Sequence, residues 1–181
     1  MSGLYYRLND LCALIVDDNA HMLTLVCQIL HSFGMKKVKR VSDAAEALHE
    51  LKHFHPDFII TDWAMEPLDG LDFVRVVRTA DDSPCPTIPI IMLTGHSDMR
   101  RVREARDVGV TEFLVKPISP KALYDRICAL IERPRKFIVS PNYIGPDRRR
   151  RNEPFKGKDR RSDGQDSKEL SQEEIEKLLE S

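Results

Sequence analysis

Between residues 12 and 132 the hydrophobic pattern changes period again and again, with short apolar runs separated by stretches of helical spacing. Cys12–Val16 predicts a buried strand, and residues 19–33, with Met22, Leu25, Val26, Ile29 and Leu30 on one face, predict a helix closed by Gly34. A strand over 38–41 follows, then a helix capped by Ser42 or Asp43 that runs to about Phe54. Next come a strand over Phe58–Thr61, a loop ending at Gly70, a helix over 71–79 and a strand over Ile88–Leu93. A helix near 97–108 ends at Gly109, and a strand over Glu112–Val115 leads into a helix over 119–132. Five strands alternating with five helices predict an α/β domain, a parallel sheet covered on both faces. Right-handed crossovers leave few topologies, and the flavodoxin-like strand order 2-1-3-4-5 is the common one at this size.

In such a sheet, chemistry sits in the crevice at the carboxyl ends of the strands. Polar residues fall there: Asp17 and Asp18 after the first strand, Asp62 after the third, Thr94 after the fourth and Lys116 after the fifth. Three carboxylates meeting in one crevice repel one another unless a cation is present. A hard divalent ion resolves the conflict, and magnesium, which takes one or two carboxylates and keeps several waters, suits the number available. Asp62, ending a central strand, is then placed to attack phosphorus and form an aspartyl phosphate. Magnesium, Lys116 and the Thr94 hydroxyl would surround the equatorial oxygens of the transferred group, which is most of what phosphoryl transfer needs. Singly, each residue has an ordinary reading as helix cap, turn or solvated lysine. The register of all five is what points to chemistry.

These residues resemble the site of a CheY-like response-regulator receiver domain. The resemblance covers residues 10–132 and rests on Val16-Asp17-Asp18-Asn19, Asp62-Trp63-Ala64-Met65 with Asp69-Gly70, Thr94-Gly95 and Lys116-Pro117. It implies that Asp62 accepts phosphate from a sensor histidine kinase or phosphotransferase, and that Asp17, Asp18 and Asp62 hold Mg2+ together with the Ala64 backbone carbonyl. It also implies that Thr94 and Phe113 form a switch pair, that the Lys116–Pro117 bond is cis, and that the chain is no enzyme beyond phosphoryl transfer to its own aspartate. Three positions depart from the family pattern. Glu66 rather than proline stands four residues after Asp62, with Pro67 next; Gly95 replaces the commoner alanine; and Phe113 lacks a hydroxyl, so that any inward swing rests on packing. His49, His53 and His55 have a spacing that can bind metal, but a solvated outer helix face is the simpler reading.

Composition changes the picture through where the charge lies. The 181 residues are 41% hydrophobic, with no apolar run long enough to span a bilayer. Met1 to Arg7 lack an apolar segment with a cleavage site, so a cytoplasmic protein without membrane insertion is expected, its four cysteines reduced. The formal net charge of −1 argues against a polyanionic partner until it is divided along the chain. Residues 1–133 hold 16 Lys and Arg against 19 Asp and Glu, 134–163 hold 10 against 4, and 164–181 hold 2 against 6. A mildly acidic body, a segment of net +6 and an end of net −4 therefore cancel. The expected organisation is an extension over 1–9, the receiver over 10–133, an arginine-rich tail over 134–163, and an acidic linker with a short amphipathic helix over 164–181. Poor in core-forming residues and broken by Pro and Gly, the tail is expected to be largely disordered.

That tail contains a repeat. Tyr143-Ile144-Gly145-Pro146-Asp147-Arg148-Arg149 recurs as Phe155-Lys156-Gly157-Lys158-Asp159-Arg160-Arg161, an aromatic-x-Gly-x-Asp-Arg-Arg pattern displaced by 12 residues. Phosphate binding alone needs only positive charge, so the aromatic, glycine and acid ask for more. Arg148, Arg149, Arg160 and Arg161 can pair with guanine O6 and N7 or with phosphate. Asp147 and Asp159 can accept from guanine's Watson–Crick edge, and Tyr143 and Phe155 offer stacking planes. Two copies suit a ligand of two-fold character, such as a cyclic dinucleotide with two guanines. A solvated tail, a non-specific nucleic-acid clamp and an anionic-membrane patch stay open on spacing alone. A receiver followed by this repeat resembles the Cle (CleD-like) group of CheY-like effectors. The resemblance implies cyclic di-GMP binding through the tail and action on the flagellar motor switch, with recruitment to the flagellated pole.

Near the end, Ser171 and Glu174 form a capping box, Leu170 and Ile175 a staple, and Ile175, Leu178 and Leu179 an apolar stripe. So short a helix needs a surface to lie on. It resembles the amino-terminal peptide of the flagellar switch protein FliM, to which CheY-type receivers bind, and could occupy this receiver's own output face in cis. Packing elsewhere on the body is the plainer alternative.

Overall fold

Five parallel strands hydrogen-bond in the order β2-β1-β3-β4-β5, as expected. The computed structural model describes residue 6, residues 8–95, 99–140 and 143–147, and residues 172 and 175. The central strands β1 (Cys12–Val16), β3 (Phe58–Asp62) and β4 (Ile90–Thr94) are buried almost throughout, the signature of strands covered on both faces. β2 (Lys37–Val41) and β5 (Glu112–Val115) are the edges. Side-chain alternation divides the core in two. Leu14, Ile59 and Met92 face α2 (Ala44–Glu50), α3 (Gly70–Thr79) and α4 (Met99–Val108), whereas Ile15, Ile60 and Leu93 face α1 (Ala20–Ser32) and α5 (Pro120–Glu132).

Asn19, Asp43, Asp69 and Ser119 cap α1, α2, α3 and α5, each accepting a backbone N–H of the first turn. Asp43 rather than Ser42 caps α2, and the Ser42 N–H donates to Glu46 instead (3.1 Å). Two boundaries among the described residues differ from expectation by more than one residue. α2 stops at Glu50, short of Phe54, because the chain tightens there into three-residue turns, with Lys52 N–H bonded to His49 and His53 N–H to Glu50. β4 starts at Ile90 rather than Ile88, because Pro89 brings no N–H and only its carbonyl joins the ladder, accepting from Ile59 (2.9 Å).

The described part of the tail, through Asp147, is packed, where the tail as a whole was expected to be largely disordered. β6 (Phe137–Ser140) and β7 (Tyr143–Pro146) form an antiparallel hairpin that packs on α3 and α4. Its anchor is Arg78 of α3, which is 1% exposed. The guanidinium donates to the Gly109 carbonyl (3.2 and 3.0 Å) and to the Pro86 carbonyl (2.9 Å), and lies 5.1 Å from the Phe137 ring. Burial pushes its pKa down to about 10. Gly109, at φ +105°, has no room for a side chain, since a Cβ would stand 2.9 Å from the Ile144 carbonyl. A Cβ on Gly145 would in turn meet Gly109 Cα at 2.9 Å, so two glycines let β7 close on the end of α4.

Farther on, Gln172 and Ile175 are helical, and Ile175 is fully buried in the cluster that contains Phe113, Val102 and Ala105. The rest of the expected terminal helix, with its capping box, lies outside the described residues. Among the described residues no helix is long and apolar enough to cross a membrane, and all four cysteines are free thiols. The His49 and His53 rings meet edge on, with centroids 5.5 Å apart, and take part in no metal-holding group among the described residues.

Candidate functional site

The parallel register pairs Val16 with Thr61, so the chain leaves β1 at Asp17 and Asp18 beside Asp62, the last residue of β3. One carboxylate oxygen from each of the three lies within 4.8 Å of the others. Asp17 and Asp62 are buried and Asp18 is exposed, so the cluster opens to solvent on one side. Lys116, immediately after β5, reaches across the end of β4. Its ammonium is 2.8 Å from Asp62 Oδ1, which also accepts the Trp63 N–H at 2.8 Å. The same ammonium is 3.8 Å from Asp17 Oδ2.

Asp17 Oδ1 accepts the Asn19 N–H (2.9 Å), whereas Oδ2 is buried with no hydrogen-bond partner among the described residues. Burial raises the Asp17 pKa; the Asn19 N–H opposes this, the Asp62 charge adds to it, and Lys116 opposes it again. A buried carboxylate oxygen without a partner, beside two further carboxylates, is what an oxygen-liganded divalent cation satisfies. The residues therefore fit magnesium. Asp17, Asp18 and Asp62 would hold it, and Ala64, exposed in the loop after β3, offers a backbone carbonyl.

Gly70 lies directly behind Asp62. Its N–H donates to the Trp63 carbonyl (2.8 Å), and an added Cβ would overlap the Asp62 carbonyl oxygen. The start of α3 thus backs directly on the end of β3, a contact that a side chain at position 70 would prevent. Thr94 ends β4, is 1% exposed, and its carbonyl accepts the Lys116 N–H at 2.8 Å. Phe113 is wholly buried. The Lys116–Pro117 bond is cis, and so is Glu66–Pro67, in the loop where the chain departs from the family pattern.

Of the tail residues singled out in the sequence, Tyr143 and Asp147 are described. The Tyr143 hydroxyl donates to the Pro146 carbonyl (2.7 Å), and its ring fills the space that a Gly145 Cβ would need. The Asp147 N–H donates to the Lys136 carbonyl (2.6 Å). In this first copy of the repeat the aromatic and the glycine hold the hairpin together. Arg148, Arg149, Phe155, Asp159, Arg160 and Arg161 lie outside the described residues. Sequence reasoning missed Arg78 and Gln172. The signal for Arg78 was an arginine on the otherwise apolar face shared with Phe73, Val74 and Val77.

A five-stranded parallel sheet with an acidic crevice and a facing lysine defines the CheY-like receivers as a class. The response regulator receiver domain family matches residues 13–128, and the chain belongs to it. It is a two-component response regulator receiver with chemotaxis homologues. Chemotaxis protein CheY-3 of Vibrio cholerae is 31% identical over 120 residues, covering 66% of this chain and 91% of that protein. Chemotaxis protein CheY of Pseudomonas aeruginosa is 32% identical over 120 residues, covering 66% of this chain and 95% of that protein. Among solved structures, CheY4 of Vibrio cholerae is 32% identical with a TM-score of 0.61, over 66% of this chain and 98% of that one. The receiver domain of the sensor histidine kinase PA1611 of Pseudomonas aeruginosa is 27% identical with a TM-score of 0.56, over 66% and 94% of the two chains, and has a magnesium ion coordinated in its active-site cleft. Receiver domains bind Mg2+ in an acidic pocket of this kind and interact with histidine kinases or phosphotransfer partners.

Proposed function

We propose that Asp62 accepts a phosphoryl group, that the arginine-rich tail binds cyclic di-GMP, and that the protein acts on FliM in the flagellar motor switch to control motility or surface attachment. The observation that carries the phosphoacceptor reading is the convergence of Asp17, Asp18 and Asp62 within 4.8 Å, with Lys116 2.8 Å from the Asp62 carboxylate. An Asp62 oxygen attacks phosphorus; the new O–P bond forms as the donor's bond to phosphorus breaks, and the donor leaves with that electron pair. The Trp63 N–H fixes the carboxylate, and Lys116 balances charge on the arriving oxygens. Magnesium, when bound, neutralises phosphoryl oxygens.

Support for the nucleotide comes from the repeat and its setting. The segment of net +6 carries two in-register aromatic-x-Gly-x-Asp-Arg-Arg copies, and the first runs out of a hairpin that packs on α3 and α4, its Phe137 ring 5.1 Å from the Arg78 guanidinium. Arg148 and Arg149 therefore follow directly on the packed residue Asp147. Charge alone favours a second reading, a non-specific nucleic-acid clamp. Calorimetric titration of the intact chain separates the two. Saturable heat with cyclic di-GMP, little with cyclic di-AMP, and loss of binding when Arg148 and Arg160 are changed to Ala are expected. Equal heat for both cyclic dinucleotides, with steeply salt-dependent RNA or DNA binding, would replace the guanine site by the clamp.

A further inference from the structure

The hydrogen bonding of the β6–β7 hairpin leaves one strand with an open edge. The Asp147 N–H donates to the Lys136 carbonyl, and Phe137 lies opposite Pro146. Bonded and unbonded pairs alternate along an antiparallel ladder. Ile138 therefore bonds with Gly145 and Ser140 with Tyr143, whereas Phe137 and Val139 turn their N–H and C=O groups away from β7. Ile144, opposite Val139, turns its own groups to the far side of β7, where its carbonyl stands against Gly109 at the end of α4. One edge of the hairpin thus closes on the body, and the other, along β6, points away from it. Among the described residues no strand pairs with that outer edge.

The side chains there are apolar and accessible: Val139 is 70% exposed and Ile138 41%. Such an edge is a template for another strand, and a protein that keeps it unpaired blunts it with charge, proline or a bulge. β2, an edge of the main sheet, is blunted in this way by the exposed Lys37, Lys39 and Arg40. β6 is not, since Phe137, Ile138, Val139 and Ser140 include neither a charge nor a proline. Positive charge stands just ahead of the strand, at the exposed Arg133 and Lys136.

We infer that β6 is a strand-addition edge for an extended peptide segment of another protein, apolar along Ile138 and Val139 and acidic at the end beside Lys136. The Phe137 and Val139 backbone groups supply hydrogen bonds that any extended peptide matches. The two apolar side chains and the cations at the strand's entry select among peptides. Because β7 is already seated on α3 and α4, the edge is formed in advance, and the ordering cost falls on the incoming segment alone. The inference stands whether or not the tail binds a nucleotide.

Amide exchange in the intact, isotope-labelled chain tests the proposal. The probes are two blocked synthetic peptides of alternating valine and threonine, one ending in two glutamates and the other in two lysines. At roughly millimolar concentration the acidic peptide is expected to slow exchange of the Phe137 and Val139 amides about tenfold. The Ile138 amide, already bonded to Gly145, is expected to keep its rate. The lysine peptide is expected to give little protection at the same concentration. Val139→Pro removes a donor that β7 does not use. Ile138 is therefore expected to stay protected in that variant, while the acidic peptide loses its effect on Phe137. Val139→Lys, which blunts the edge and leaves every backbone donor in place, is expected to lose the effect as well. Phe137 and Val139 amides indifferent to the acidic peptide, or protected equally by both peptides, would overturn the proposal. So would Val139 protection that rises with protein concentration, which would place a second copy on the edge. A Val139 amide already as slow as that of Ile138 in dilute protein would overturn it too, since the chain would then cover its own edge.

Discussion

The Lys116 ammonium stands 2.8 Å from Asp62 Oδ1, an ion pair that spans the end of β4 and joins the third strand of the sheet to the fifth. Lys116→Ala keeps the carboxylates and removes the cation that faces them. Phosphorylation by acetyl phosphate is expected to slow by roughly 100-fold, the scale on which a single transition-state donor is felt. A rate constant from intact-protein mass spectrometry within a factor of a few of wild type would show that the lysine serves only to pair with Asp62 at rest.

Asp17 predicts a link between magnesium and pH. Its pKa is raised, chiefly by burial, so the folded chain keeps that proton to higher pH than the unfolded chain does. The stability this group contributes is whole below the ordinary carboxylate range and falls as pH rises through its folded pKa. A cation offsets that loss at neutral pH. Saturating magnesium is expected to stabilise the protein by ~1–2 kcal/mol at pH 7, about 3–6 °C in Tm for a chain of this size, and by less near pH 5. In chelator, Asp17→Asn is expected to melt above wild type and to lose most of the magnesium response. Scanning calorimetry at the two pH values checks both signs.

The two glycines nearest the crevice are expected to respond differently to the same substitution. A Cβ at Gly70 overlaps the Asp62 carbonyl, which is backbone and has little room to yield, whereas nothing lies within 4 Å of a Cβ at Gly95. Gly70→Ala is expected to cost ~2–3 kcal/mol in urea denaturation and to slow phosphorylation, because α3 can no longer back on the end of β3. Gly95→Ala is expected to be neutral within ~0.5 kcal/mol.

Arg78→Met keeps the volume of a long side chain and removes every donor to the Gly109 and Pro86 carbonyls. A loss of ~2–4 kcal/mol is expected, together with faster amide exchange in β6 and β7. Gly145→Ala is expected to loosen the hairpin as well, by pushing Tyr143 and Gly109 apart, without changing phosphorylation at Asp62. An unchanged hairpin in both variants would mean that the tail is held by contacts other than these.

The five-stranded core was legible because its signals are local. Buried strands read as short apolar runs, caps as single polar residues, and the parallel topology brings Asp17, Asp62 and Lys116 to one end of the sheet. The cis bond at Lys116–Pro117 was legible only through the resemblance to a family. The hairpin was not legible, because Phe137 and Ile144 sit in a charge-dominated segment and the residues they meet, Arg78 and Gly109, are far away in sequence. Tyr143 showed the opposite failure: its repeat was visible, but its use inside a turn was not. Ile175 stood out as part of an apolar stripe, whereas Gln172, whose carboxamide pairs with the Val115 N–H and the Phe113 carbonyl, left no periodic trace, since it depends on contact rather than on a pattern.

Acetyl phosphate labelling of the intact protein with magnesium, followed by hydroxylamine, tests the phosphoacceptor most directly. Wild type is expected to take one phosphoryl group per chain, released by hydroxylamine as an acyl phosphate is, and Asp62→Asn is expected to take none. Equal labelling of Asp62→Asn, or a wild-type chain that takes no label with magnesium present, would contradict the account.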